Sequence, residues 1–170
     1  MPQTPAIFGP QALIFDTGPL WELVLYSAVH NLHFESLKGQ LLHLQNESSY
    51  KSLASFIASF AKKTTTPHVV AEISGRIIRM VPRGQPDIWR LVYDEFSAMG
   101  MDEGVRKLLE MPQRLVASVG AVDASVVELG VNHGHPSPVV ISIDFGLITK
   151  CREAGLAAKH LWEVIAEGNP

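Results

Sequence analysis

Ala12-Leu13-Ile14-Phe15-Asp16-Thr17-Gly18-Pro19-Leu20 is the stretch from which the fold is read. Four consecutive apolar residues ending on Asp16 suit a short strand. Thr17, Gly18 and Pro19 then supply turn chemistry. Pro19 fits a first helical turn, where its missing N–H has no partner to lose. The chain leaves a strand and enters a helix within a few residues, which puts Asp16 at the strand's carboxyl end. Val139-Val140-Ile141-Ser142-Ile143-Asp144-Phe145 repeats the pattern, with a β-branched run, an aspartate, and a helix over 145–154 that Gly155 ends. Strands alternating with helices in this way predict an α/β fold with a parallel sheet.

Between these two switches the sequence is mostly helical. Leu53, Phe56, Ile57 and Phe60 recur at helical spacing and predict a helix over 49–62. Residues 63–66 are short and β-branched, and Thr66 before Pro67 caps a helix over 68–81 that Pro82, Gly84 and Pro86 terminate. Ile88, Leu91, Val92, Phe96 and Met99 mark another helix over 87–99, closed by Gly100. A short helix is expected over 102–110. Residues 114–118 read either as a strand or as the approach to a helix over 119–133, and 30–47 as loop with partial helix. A last edge strand over 156–160 precedes a terminal helical turn. One domain over 12–170 after an N-terminal extension, 1–11, is the simplest division of the 170 residues.

With 46% hydrophobic and 18% charged residues the chain can build a core, and intrinsic disorder is excluded. That composition also predicts an apolar surface patch open to a partner. A net charge of −3 gives no general footprint for nucleic acid, so any such contact must use a local basic stripe. The single cysteine, Cys151, has no disulfide partner and no zinc-ligand spacing around it, which fits a core residue in a reducing cytosol. The opening MPQTPAIFGPQ lacks a basic leader region and no early apolar run is long enough for a bilayer, so a cytoplasmic protein without a membrane segment is expected.

In open α/β sheets functional groups collect at the carboxyl ends of parallel strands, where Asp16 and Asp144 stand. A third acid can be brought to the same level. The helix from Asp123 to His133 travels roughly 15 Å, and the strand leading to Asp144 climbs back roughly 16 Å. Glu72 flanks the apolar face formed by Val69, Val70, Ile73 and Ile77, at the core's margin, where a lone glutamate reads more readily as a solvated residue than as a site residue. Carboxylates gathered in one place repel, and a hard divalent cation relieves the repulsion. Ligands that are all oxygen favour Mg²⁺ or Mn²⁺ over zinc. Such an ion acidifies a bound water and neutralises charge on a phosphoryl group, which suits phosphodiester hydrolysis.

Four segments carrying these acids, in order, make up a recognisable set: Leu13-Ile14-Phe15-Asp16-Thr17-Gly18-Pro19-Leu20, Thr66-Pro67-His68-Val69-Val70-Ala71-Glu72-Ile73, Val122-Asp123-Ala124-Ser125, and Val140-Ile141-Ser142-Ile143-Asp144-Phe145. Together they resemble the ordered motifs of the PIN-domain nucleases, including the toxin ribonucleases of that family. The resemblance implies a PIN-like three-layer α/β/α sandwich and a Mg²⁺- or Mn²⁺-dependent endoribonuclease. It implies Asp16, Asp123 and Asp144 as direct metal ligands, with Glu72 acting through water or activating the attacking water. It also implies that Thr17 and Ser142 hydrogen-bond the carboxylates. RNA as substrate, a small antitoxin as partner and a homodimer follow from the same likeness. The match departs at Gly146 and Leu147, where many members carry a further acid. A catalytically silent PIN-like binding or scaffold domain is the alternative.

Glu72, Arg76, Arg79 and Arg83 fall in one narrow helical stripe, so Arg76 and Arg79 are candidate phosphate contacts; the plainer reading pairs Arg76 with Glu72 on a solvated face. Lys150 is a weaker candidate of the same kind. His133-Gly134-His135 reads as a turn rather than a metal site. Of Trp21, Trp89 and Trp162, two lie on apolar helical faces and are expected in the core.

Overall fold

The computed structural model describes residues 12–80, 87–105, 110–134 and 137–168. The proposed extension 1–11, the helix-ending Pro82, Gly84 and Pro86, Arg83 and His135 all lie outside them. Five strands, β1 (Ala12–Phe15), β2 (Lys62–Thr65), β3 (Met101–Glu103), β4 (Val139–Ser142) and β5 (Ala157–His160), form one sheet in the order β3-β2-β1-β4-β5. Every pairing is parallel. Helices flank this sheet: α1 (Thr17–Asn31), α2 (Glu47–Ala58), α3 (Pro67–Met80), α4 (Asp87–Ala98), α5 (Gln113–Val131), α6 (Phe145–Glu153) and α7 (Leu161–Gly168).

The order of the strands follows from burial. β1 and β4, the two continuous apolar runs, pair at the centre and are buried at every position. β3, exposed at Asp102 and Glu103, and β5, exposed at Ala157, take the edges. From β1 the chain moves outward to β2 and β3, then crosses back to β4 and continues to β5. Right-handed crossovers therefore put α1, α3 and α4 on one face and α5 and α6 on the other. The packing of α1 on α3 and α4, and of α5 on α6, agrees. α1 is buried all round, from Thr17 to Val29, as an apolar helix between sheet and helices must be.

Several boundaries differ from the sequence reading for physical reasons. The helix expected over 49–62 stops at Ala58, because Lys62 and Lys63 join β2 beside Ala12 and Leu13. The helix expected over 102–110 does not begin there: Met101 to Glu103 pair with Lys63 to Thr65 as an edge strand, so tertiary pairing overrides a helical preference. The ambiguous 114–118 is helical, and both candidate pieces merge into α5 across a kink at Gly120, with φ 85° and ψ 168°. Part of 30–47 forms a 3-10 segment, Glu35–Gln40. Trp21 is buried, but Trp89 and Trp162 are about half exposed, so only one of the three tryptophans is in the core. Cys151 is fully buried. No helix among the described residues is long and apolar enough to cross a membrane.

Candidate functional site

A chain that runs outward in opposite directions from β1 and β4 leaves a crevice beyond the carboxyl ends of those two strands. Asp16 follows β1 directly, and Asp144 lies two residues beyond β4. Each caps the helix that follows. The Asp16 carboxylate accepts the Thr17 amide at 2.6 Å, and Asp144 Oδ1 accepts the amides of Gly146 and Leu147 at 2.6 and 3.2 Å. Both helix N-termini thus face negative charge, the favourable sense of the helix dipole. The buried Ser142 hydroxyl ties the two strand ends together, donating to Asp16 Oδ2 at 2.6 Å and accepting the Asp144 amide at 2.9 Å.

Glu72 comes from the second turn of α3. That helix starts where expected, with Pro67 at its first position and the Val69 amide bonded to the Thr66 hydroxyl. One Glu72 oxygen accepts from the Thr17 hydroxyl and the other from Arg76, each at 2.8 Å. Asp123 comes from α5, one turn after the Gly120 kink. Its neighbour Ser125 anchors that turn against α3 through a 2.8 Å bond between the Ser125 and Thr66 hydroxyls. Gly18 permits the close approach of α1 and the chain after β4, since a Cβ there would lie 2.3 Å from Ile143 Cγ1.

Asp16, Glu72, Asp123 and Asp144 all line one cavity of about 540 Å³, together with Thr17, Gly18, Arg76, Ile143 and Phe145 among the described residues. The electrostatics record their proximity. Burial, and then the charges of Asp16, Asp144 and Glu72, push the Asp123 carboxyl up to about 7. Burial also raises Asp16, against the lowering effect of the Ser142 hydroxyl and the Thr17 amide. Asp123 receives no hydrogen bond among the described residues, whereas the other three acids are each held by one or more donors. No group of three or more His, Cys, Asp or Glu among the described residues is already arranged to hold a metal ion. The donor set nevertheless suits a hard cation: it is all oxygen, carries four acids against one guanidinium, and leaves its least constrained member free to turn.

Of the two candidate arginines, Arg76 lines the cavity and Arg79 lies exposed beyond it. Lys150 is engaged by Glu153. A larger cavity of about 680 Å³ opens between α3, α4 and β3, but its wall of Val70, Ile73, Trp89, Val92, Tyr93 and Phe96 is apolar and Glu103 is its one charged lining residue among those described. The four acids therefore sit in the smaller cavity. Sequence reasoning missed Phe145, whose only signal was an aromatic residue directly after Asp144. It missed as well the role of Gly120, a glycine inside an otherwise apolar helical run.

Comparison with models of protein families, with curated proteins and with solved structures finds no match to this chain.

Proposed function

We propose that this chain is a PIN-like, Mg²⁺- or Mn²⁺-dependent endoribonuclease that hydrolyses phosphodiester bonds in the four-carboxylate cavity. The observation that carries the reading is geometric: Asp16, Glu72, Asp123 and Asp144, far apart in sequence, line one cavity, where burial and the three other acids push Asp123 up to about 7. Like charges gathered in a cleft repel unless a cation or a shared proton offsets them, and displaced pKa values in clefts concentrate at functional sites. A bound divalent cation would supply an acidified water and charge neutralisation at the phosphoryl group.

The side chains divide the remaining work. Asp16, Asp123 and Asp144 are the metal ligands in this reading, with Asp16 oriented by Ser142 and Asp144 by the first amides of α6. Glu72 is oriented from both sides, by Thr17 and Arg76, and takes a proton from the attacking water as its oxygen bonds to phosphorus. The bond from phosphorus to the leaving oxygen breaks, and that oxygen takes a proton from solvent. Arg76 keeps its bond to Glu72 through one guanidinium nitrogen and offers its remaining N–H groups to a phosphate oxygen when substrate enters.

Purified protein should cleave single-stranded RNA with Mn²⁺, and Asp16→Asn should lower the rate by at least about 10²-fold. Cleavage unaffected by that substitution would sink the assignment. A second reading, a PIN-like binding domain that cuts nothing, is favoured by the apolar cleft and by the absence of a preformed metal-ligand group among the described residues. It predicts no heat of Mn²⁺ binding by calorimetry, whereas the nuclease predicts a titration that Asp16→Asn abolishes. A small antitoxin or a second copy of the chain would find its apolar surface at Trp89 and Tyr93.

A further inference from the structure

Phe145 occupies an unusual position for a large apolar residue. It follows Asp144 directly, lines the carboxylate cavity, and is 70% exposed. Its ring is nevertheless fixed on one side, where it stacks on His160 at 4.3 Å between centroids and 15° between planes. His160 is buried and held at both nitrogens. Nδ1 accepts the Trp162 amide at 3.0 Å, so the ring proton belongs on Nε2, which donates to the Ile143 carbonyl at 3.0 Å. The His43 ring lies 5.8 Å from the His160 ring, tilted to it, and next to Glu22. Glu22 is buried and accepts the amides of Leu42, His43 and Leu44. Phe145 is therefore a flat apolar plate on a rigid base, with one face against His160 and the rest of the ring open beside the acids.

We propose that Phe145 is a stacking platform for an unpaired nucleobase next to the phosphate that is cut, so that the preferred substrate is single-stranded. The proposal rests on the nuclease reading of the carboxylate cavity. The wall of that cavity is divided to suit one nucleotide: Arg76 on the side of Glu72 offers charge to a phosphate, and Phe145 beside Asp144 offers a π-face. A base within a duplex has both faces covered by its neighbours and cannot use such a plate. An unpaired base can, and the contact tolerates any sequence because every base has a π-face. The rigid His160 support means that little ordering of the ring is needed when the base arrives.

The experiment uses short single-stranded RNAs carrying either 2-aminopurine or an abasic residue beside the cleaved bond, with the wild type, Phe145→Ala and Phe145→Trp. Binding in Mg²⁺ should quench 2-aminopurine fluorescence in the wild type and the tryptophan variant, and much less in Phe145→Ala. Cleavage of the intact RNA should fall about tenfold or more in kcat/KM for Phe145→Ala. On the abasic RNA the wild type and Phe145→Ala should cleave alike, a convergence that a merely structural role for the ring would not produce. Quenching that depends on Phe145 without any cleavage supports the platform and rejects the nuclease. Cleavage and quenching that are the same in the wild type and Phe145→Ala overturn the platform, leave the nuclease standing, and assign the exposed ring to a protein contact. RNA that neither binds nor is cut overturns both.

Discussion

At neutral pH the Asp123 carboxyl stands near half-protonation, because burial and three neighbouring acids oppose its charge. Its folded value of about 7 lies above the ordinary 3.8, so its contribution to stability is fully present below 3.8 and is lost as pH rises through about 7. Asp16, also raised, acts in the same sense. Glu22 acts oppositely and at lower pH: burial raises it, but the His43 side chain and three amides outweigh burial and hold it below 4.5, so its contribution is complete above that value and is lost as pH falls below it. Metal-free protein should therefore melt at progressively lower temperature between about pH 5 and 8, and Mn²⁺ should cancel the decline. Asp123→Asn removes the repulsion and should raise the metal-free melting temperature at about pH 8 by about 2–4 °C, or about 1 kcal/mol, while losing the increment from Mn²⁺. Calorimetric melts of both proteins with and without the ion decide it, and a variant no more stable than the wild type would contradict the electrostatic account. Asp16, Asp123 and Asp144 were readable as a group because strand ends and helix rise can be counted along the chain. Phe145 was not, since its exposure and its stacking depend on His160, which arrives from another strand.

Among the elements, those with a single strong local signal were legible and those decided by pairing were not. β1 and β4 are unbroken apolar runs, and α3 has both its Thr66 cap and Pro67, so each could be located closely from local chemistry. β3 is only Met101–Glu103 and is mostly exposed, and it is a strand because β2 offers it an edge. α5 hides the other case. Its kink at Gly120 combines a positive φ with an extended ψ, a region essentially confined to glycine, and Asp123 begins the run of helix beyond it. Gly120→Ala should cost about 1–3 kcal/mol and weaken Mn²⁺ binding, because straightening the kink re-aims the turn that carries Asp123. Ala117→Gly, at an exposed position before the kink, should cost about 1 kcal/mol through helix propensity alone and leave Mn²⁺ binding intact. Urea unfolding and Mn²⁺ calorimetry on both variants separate the two effects. Equal metal affinity in the glycine and alanine forms at position 120 would mean that the kink does not aim Asp123.

Over the whole molecule the sheet order brings together what the sequence spreads from residue 16 to residue 144. The apolar runs of β1 and β4 mark them as strands of the sheet, but the strand order was not legible, because β2 and β5 carry too few apolar residues to fix their neighbours. The molecule has a net charge of −3, and among the described residues its acidic cavity has one arginine in its wall, Arg76, with Arg79 further along the same helix. In the nuclease reading, that distribution limits how the chain would hold RNA. Each phosphate neutralised on a single strand contributes a slope of about −0.7 to the dependence of log K on log salt concentration. Two arginines therefore predict a slope of about −1.4, far shallower than that of a protein with a basic groove. Arg76→Ala should reduce the magnitude of the slope by about 0.7 and weaken binding alike for RNAs of any sequence, because a phosphate contact reads no base. Titrations of single-stranded RNA between about 50 and 200 mM salt, at fixed free Mg²⁺, measure both quantities. A steep slope that Arg76→Ala leaves unchanged would place the RNA on a different surface, whereas a shallow, Arg76-dependent slope fits a short substrate gripped at two phosphates and one base.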